Sequence, residues 1–217
     1  EGIEWIRLHY AYPHKFPMDV IEVMKAQPKI CNYLDMPLQH ISDPVLHRMR
    51  RQITSEETKQ LIQNIRSIHP EIRLRTTFLV GFPGETEEDH RALCDFVEEM
   101  KFDRVGVFEY SHEEGTRGYN FTDDVPSEIK KQRAEDIMAI QRTISWSHNQ
   151  EWIGKQVKVL IDRKEGGQFV GRTEFDSPEV DNEVWMEGSQ GALQPGQFAV
   201  VQITSASDYD LTGILID

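Results

Sequence analysis

One change of periodicity governs what this chain can fold into. Up to about His148, apolar runs of strand length alternate with stripes of helical period, whereas from Asn149 onward only short strand-like runs occur. The first pattern predicts parallel strands joined by crossover helices, and the second predicts a separate all-β unit. A chain of 217 residues has room for both cores, since domains commonly run from about 50 to 200 residues. The expected division is therefore 1–148 and 149–217.

In the first part, Ile3 to Tyr10 form a strand-like run that ends at Tyr12-Pro13, followed by a short helix around Val20–Met24 and a strand over Tyr33–Leu38. Thr54-Ser55-Glu56-Glu57 carries a capping box, in which the Thr54 hydroxyl accepts the Glu57 amide while the Glu57 carboxylate reaches back. Leu61, Ile62, Ile65 and Ile68 then mark one helical face, and Pro70 ends it. Ile72–Val80 begins as an alternating strand and finishes as a continuous apolar one, as in a sheet covered on both faces. Thr86 starts another helix by the same capping logic, with Leu93, Phe96, Val97 and Met100 as its buried stripe. Val105–Tyr110 is the next strand, and Ser127 to about His148 is a helix long enough to act as a connector. Beyond it, Gln156–Arg163, Gln168–Phe175, Val180–Glu187, Gln197–Ser205 and Asp210–Ile216 are separated by turn signals. Five short strands predict a small closed barrel of the OB or similar kind, which removes exposed sheet edges.

Composition narrows the class. The formal charge of −13 argues against non-specific adhesion to nucleic acid, which is driven by Lys and Arg, and favours a basic partner. Nothing approaches the roughly 20 consecutive apolar residues of a membrane span. The chain opens on Glu1 with no leader-like stretch, so the expectation is a fragment of a cytoplasmic protein. Its two cysteines, Cys31 and Cys94, lie 94 − 31 = 63 positions apart. That spacing assembles neither a disulfide framework nor a thiolate metal motif.

In parallel α/β folds, ligands sit at the carboxyl ends of the strands, which directs attention to Tyr10–His14, Pro37–Ser42, Gly81–Glu85 and Tyr110–Glu114. In Val80-Gly81-Phe82-Pro83-Gly84-Glu85-Thr86, two glycines allow a flat ligand or another backbone to approach; a tight strand-to-helix turn explains them equally. Gln39 and Ser42 offer an amide and a hydroxyl suited to ribose. His40 reads as a hydrogen-bonding surface residue, and Ser111-His112-Glu113-Glu114 as either an acid/base group or a solvated loop. Arg75 interrupts an apolar strand and must meet an anion such as a carboxylate. Arg48, Arg50 and Arg51 read as a solvated helix end. No residue emerges as catalytic or as a metal ligand.

Tyr33–Asp43, Leu74–Asp89 and Phe108–Thr116 together closely resemble the RimO family, and the resemblance runs through the whole chain. It implies a partial, open radical-SAM TIM-type α/β barrel, followed by an OB-like five-stranded TRAM barrel. That family methylthiolates an aspartate β-carbon in small-subunit ribosomal protein twelve, using S-adenosylmethionine and 4Fe–4S clusters. Its Cys-x3-Cys-x2-Cys loop is not in this sequence, so the resemblance implies a part that is inactive alone. It places Gln39 near the ribose, Arg75 and Thr77 near the methionine portion, and Gly81, Pro83, Gly84, Phe108 and Tyr110 around the adenine.

The nearest rival is the tRNA adenosine methylthiotransferase family, which shares both modules; a non-catalytic binding module is a third possibility. Charge discriminates. Residues 149–217 hold five basic and twelve acidic residues, and 5 − 12 = −7. A module gripping tRNA shows a basic patch with aromatics instead. Asp176, Glu179, Asp181, Glu183 and Trp185 form an acidic, aromatic stretch suited to a Lys/Arg-rich protein loop.

Overall fold

The computed structural model describes residues 2–187 and 193–216. They form two compact units: one takes in the chain up to Ile30 and from Leu34 to Gln141, the other Cys31–Tyr33 and the chain from Arg142 onward.

The first unit is built on a four-stranded sheet in the order β1 (Ile6–Leu8), β2 (Ile30–Asp35), β3 (Arg73–Val80), β4 (Arg104–Glu109). β1 runs parallel to β2 and β3 parallel to β4. Beyond β2, the Met36 amide donates to the Arg75 carbonyl at 2.9 Å and the Gln39 amide to Thr77 at 2.8 Å, which extends the pairing toward the strand ends. The crossovers are α1 (Asp19–Ala26), α2 (Asp43–Arg48) with α3 (Ser55–Ile68), and α4 (Glu87–Met100). Both predicted caps form: Thr54 with Glu57 on α3, and Thr86 with Asp89 on α4, each a reciprocal box. α2 has only six residues, too few for a periodic stripe to reveal.

β3 shows why the sheet has two unlike faces. Leu74, Thr76, Phe78 and Val80 are buried against the helices, and Phe78 meets Phe96 and Phe102 edge-on at 6.3 and 5.9 Å. Each such ring contributes roughly 1.5–3 kcal/mol by leaving water. The alternate residues Arg75, Thr77 and Leu79 face the other way, beside Arg104, Gly106 and Phe108 of β4, their register partners. That face, which runs from Arg75 near the start of β3 to Leu79 near its carboxyl end, is where a ligand can lie.

The second unit is a closed barrel, ordered β5 (Gln156–Glu165), β6 (Gln168–Arg172), β7 (Val184–Glu187), β9 (Leu211–Ile216), β8 (Phe198–Ala206), with β8 returning to β5. Val157, Val159, Ile161, Phe169, Val184, Met186, Val201, Ile203 and Leu211 fill its interior. Closure leaves no free strand edge among them. The Gly-rich turn expected after Glu187 falls partly on residues 188–192, outside the described set. α5 (Ser127–Gln150) contributes to both units.

Candidate functional site

Arg75 is anchored on the open sheet face by Asp35, whose Oδ1 lies 3.0 Å from its Nη1, both side chains largely buried. Asp35 also accepts the Tyr10 amide at 3.2 Å, and the Thr77 hydroxyl stands 3.3 Å from the Arg75 guanidinium. A Cβ on Gly106 would lie in ordinary contact with Arg75 and Thr77, so β4 packs beside the pair without a side chain there. One position further, Phe108 is 63 % exposed, a bare aromatic face beside Leu79. Gln39 sits at the end of β2's extension with φ +72°, a left-handed conformation uncommon for a residue with a side chain. Arg75, Thr77, Phe108 and Gln39 thus come together on the open face and its rim.

The loop after β3 behaves differently from the expectation. Gly81 and Gly84 do have φ of +71° and +78°, but the space over them is already filled: a Cβ would overlap the Lys130 stem at Gly81 and the Arg48 guanidinium at Gly84. The glycines admit this chain's own side chains rather than a ligand. Pro83 is buried and its carbonyl accepts Arg48 Nη1 at 2.8 Å. Tyr110 is also buried, edge-on to Phe82 at 5.1 Å with the Lys130 ammonium 5.0 Å over its ring. Gly81, Gly84, Pro83 and Tyr110 are thus packed against Lys130, Arg48 and Phe82 of this chain.

His40, expected at the surface, is fully buried. Its Nδ1 accepts the Ser42 amide at 3.0 Å, and its Nε2 faces Glu85 Oε1 at 3.9 Å. Glu85 accepts the amides of Gly81 and Phe82 and pairs with Arg133 at 3.2 Å. This buried network stiffens the loop, and no spacing rule links residues so distant in sequence. Cys94 lies 3.5 Å from His90, which is 3.2 Å from Asp136. The trio looks like a nucleophile relay but uses one histidine nitrogen for both contacts. Burial and the carboxylates around it push the Cys94 thiol up to about 11, the wrong direction for a nucleophile.

In the barrel, Asp176 is buried and accepts the Thr173 hydroxyl at 2.5 Å, so it is not available at the surface as the acidic reading required. Asp181 accepts the Ser177 amide at 2.8 Å. Glu183 binds Arg163, whose guanidinium lies 5.8 Å over the Trp185 ring. Glu179 is exposed at φ +68°. Phe198 is only half-buried and lies under the Lys158 ammonium at 4.3 Å.

Two family models match this chain: the radical SAM superfamily over residues 2–97 and the TRAM domain over residues 153–216. Curated relatives extend the match across the whole length. The ribosomal protein uS12 methylthiotransferase RimO of Flavobacterium psychrophilum is 56% identical over 213 residues, covering 98% of this chain and 49% of that protein. The protein of the same name from Porphyromonas gingivalis is 51% identical over 219 residues, covering 100% of this chain and 50% of that one. Along nearly its whole length the chain is similar to proteins named RimO.

It spans about half the length of the curated relatives it matches. Among solved structures, Escherichia coli coproporphyrinogen III oxidase, a radical SAM enzyme, aligns with a TM-score of 0.52 at 19% identity, over 78% of this chain and 44% of that one. At that identity the likeness speaks for the fold alone. Among the described residues no helix is long and apolar enough to cross a membrane, and no group of three His, Cys, Asp or Glu side chains could hold a metal ion.

Proposed function

We propose that this chain is the part of a radical-SAM methylthiotransferase that holds S-adenosylmethionine on an open strand face and carries a TRAM barrel. Its substrate is an aspartate of ribosomal protein uS12. The observation that carries this reading is the open face itself: a guanidinium and a hydroxyl, Arg75 and Thr77, stand beside Gly106, which brings no side chain of its own, and next along the strands is the bare ring of Phe108. That donor set fits a ligand with an amino-acid end and an aromatic end.

When bound, S-adenosylmethionine supplies radical chemistry at the substrate carbon. Arg75 and Thr77 would hold its amino-acid portion, Asp35 keeping the Arg75 fork in one orientation. Phe108 offers the platform for the adenine, and Gln39 the amide for the ribose. The described residues do not fit a 4Fe–4S cluster, because Cys31 is buried in the sheet and Cys94 sits on α4 with a raised pKa.

The barrel's −7 charge favours the basic ribosomal protein over tRNA as the partner of the TRAM unit, with the exposed Glu179 and the half-buried Trp185 as the docking residues. The action belongs with the ribosome, in the cytoplasm. S-adenosylmethionine binding, measured calorimetrically, tests the site. Thr77→Val and Phe108→Ala remove a hydroxyl and an exposed ring, and each should weaken affinity by about tenfold, roughly 1.4 kcal/mol. Unchanged affinity in both variants would remove the open face from consideration.

A further inference from the structure

Three guanidiniums converge in a chain that carries 37 acidic and 24 basic residues. At the carboxyl ends of β2 and β3 lies a cavity of about 380 Å³, bordered by Arg48, Arg51 and Arg117, with Gln39 at its edge and Leu79 and Phe82 as apolar wall. This volume is within the range of about 300–1,000 Å³ in which ligand groups are commonly bound.

Two of the arginines are held in place without being neutralised. Arg48 donates to the Pro83 carbonyl at 2.8 Å and Arg51 to the Pro37 carbonyl at 2.9 Å, while the Arg51 head also lies 5.2 Å over the Tyr12 ring. Backbone carbonyls satisfy donors but leave the positive charge uncompensated. Among the described residues, no carboxylate comes within the 4.0 Å ion-pair distance of any of the three. Arg117, exposed at the start of the 3-10 turn Gly118–Asn120, lines the same cavity. Gln39 is the residue held at positive φ on this rim, and such strained positions cluster where ligands are gripped.

We propose that this cavity binds the carboxylate of an acidic side chain presented by the protein substrate. Planar guanidinium forks match a carboxylate, and the Leu79 and Phe82 wall suits the short apolar stem behind it. A polyanion is disfavoured by the −13 charge of the chain as a whole, whereas one carboxylate on an otherwise basic protein meets attraction at both levels. That the bound side chain is the one to be modified rests on the function proposed above. The same chemistry occurs in one other source, the methionyl carboxylate of the cofactor.

Fluorescence anisotropy of labelled blocked peptides separates these. A peptide spanning the target aspartate of the ribosomal protein is compared with its asparagine counterpart, and with an unrelated sequence carrying one aspartate. The aspartate peptide should bind at least about tenfold more tightly than the asparagine one. Arg117→Gln should abolish that preference, and Arg117→Lys should restore only part of it, because an ammonium cannot form the fork. Affinity for S-adenosylmethionine and for 5′-methylthioadenosine, which lacks the carboxylate, should be unaffected.

Equal binding of the aspartate and asparagine peptides, or a preference that survives Arg117→Gln, would overturn the proposal. So would a loss of S-adenosylmethionine binding without loss of 5′-methylthioadenosine binding, since the carboxylate would then be the cofactor's. An Arg117-dependent preference for the unrelated aspartate peptide, with no binding of the ribosomal one, would support the carboxylate site and sink the proposed substrate.

Discussion

Arg75 shows what one residue type can reveal in advance and what it cannot. A guanidinium inside the apolar run of β3 announces the need for an anion, because an unpaired buried charge is costly. The partner was not legible: Asp35 lies 40 positions away, and only the pairing of β2 with β3 brings it near. Arg75→Met should destabilise the fold by about 3–5 kcal/mol in chemical denaturation, since it strands the buried Asp35 carboxylate. Adding Asp35→Asn should recover part of that loss; a double variant worse than the single one would remove the pair from this role. Cys94 offers a second check at this scale. With its thiol pushed up to about 11, it should label with iodoacetamide far more slowly at pH 8 than a free cysteine of ordinary pKa near 8.5, and accelerate only as pH approaches that raised value.

At the scale of elements, the helix starts were readable because the capping box is a local code: Thr54 with Glu57, and Thr86 with Asp89, need no tertiary information. Thr86→Ala should cost about 1 kcal/mol, measured by urea denaturation. The Gly81–Gly84 loop was legible as a special backbone but not as to what occupies it, because Lys130 and Arg48 arrive from other elements. Gly84→Ala should cost about 1–3 kcal/mol through its positive φ and the displaced Arg48 guanidinium. Asp89 joins α4 to the rim of β2 by accepting from Ser42 Oγ. Burial alone would raise its pKa, but the hydrogen bonds from Ser42 and from the Thr86 backbone and hydroxyl outweigh it and hold the carboxyl below its ordinary 3.8. The unfolded chain therefore takes up this proton first on acidification, so the stabilisation is present above the ordinary value and lost as pH falls through the lower, folded one. Ser42→Ala should flatten the acid limb of stability below about pH 4; an unchanged slope would contradict the assignment.

Over the whole molecule, the switch from alternating to β-only periodicity announced a parallel α/β sheet followed by a closed barrel, and the five barrel strands appear where turn signals separated them. The acidic balance was equally plain. What composition could not show was its distribution: Asp176 is consumed inside the barrel, Glu183 is taken up by Arg163, and three arginines gather without acidic partners at the strand ends. A net charge predicts the class of partner and says little about which residues meet it.

The central claim, that this chain serves a protein substrate rather than an RNA one, is tested most directly by its affinity for purified ribosomal protein uS12 and for a tRNA anticodon stem-loop, each at low and moderate salt, by fluorescence anisotropy. Salt-sensitive binding to the protein and none to the RNA is the expected result. Binding to the RNA alone would contradict it.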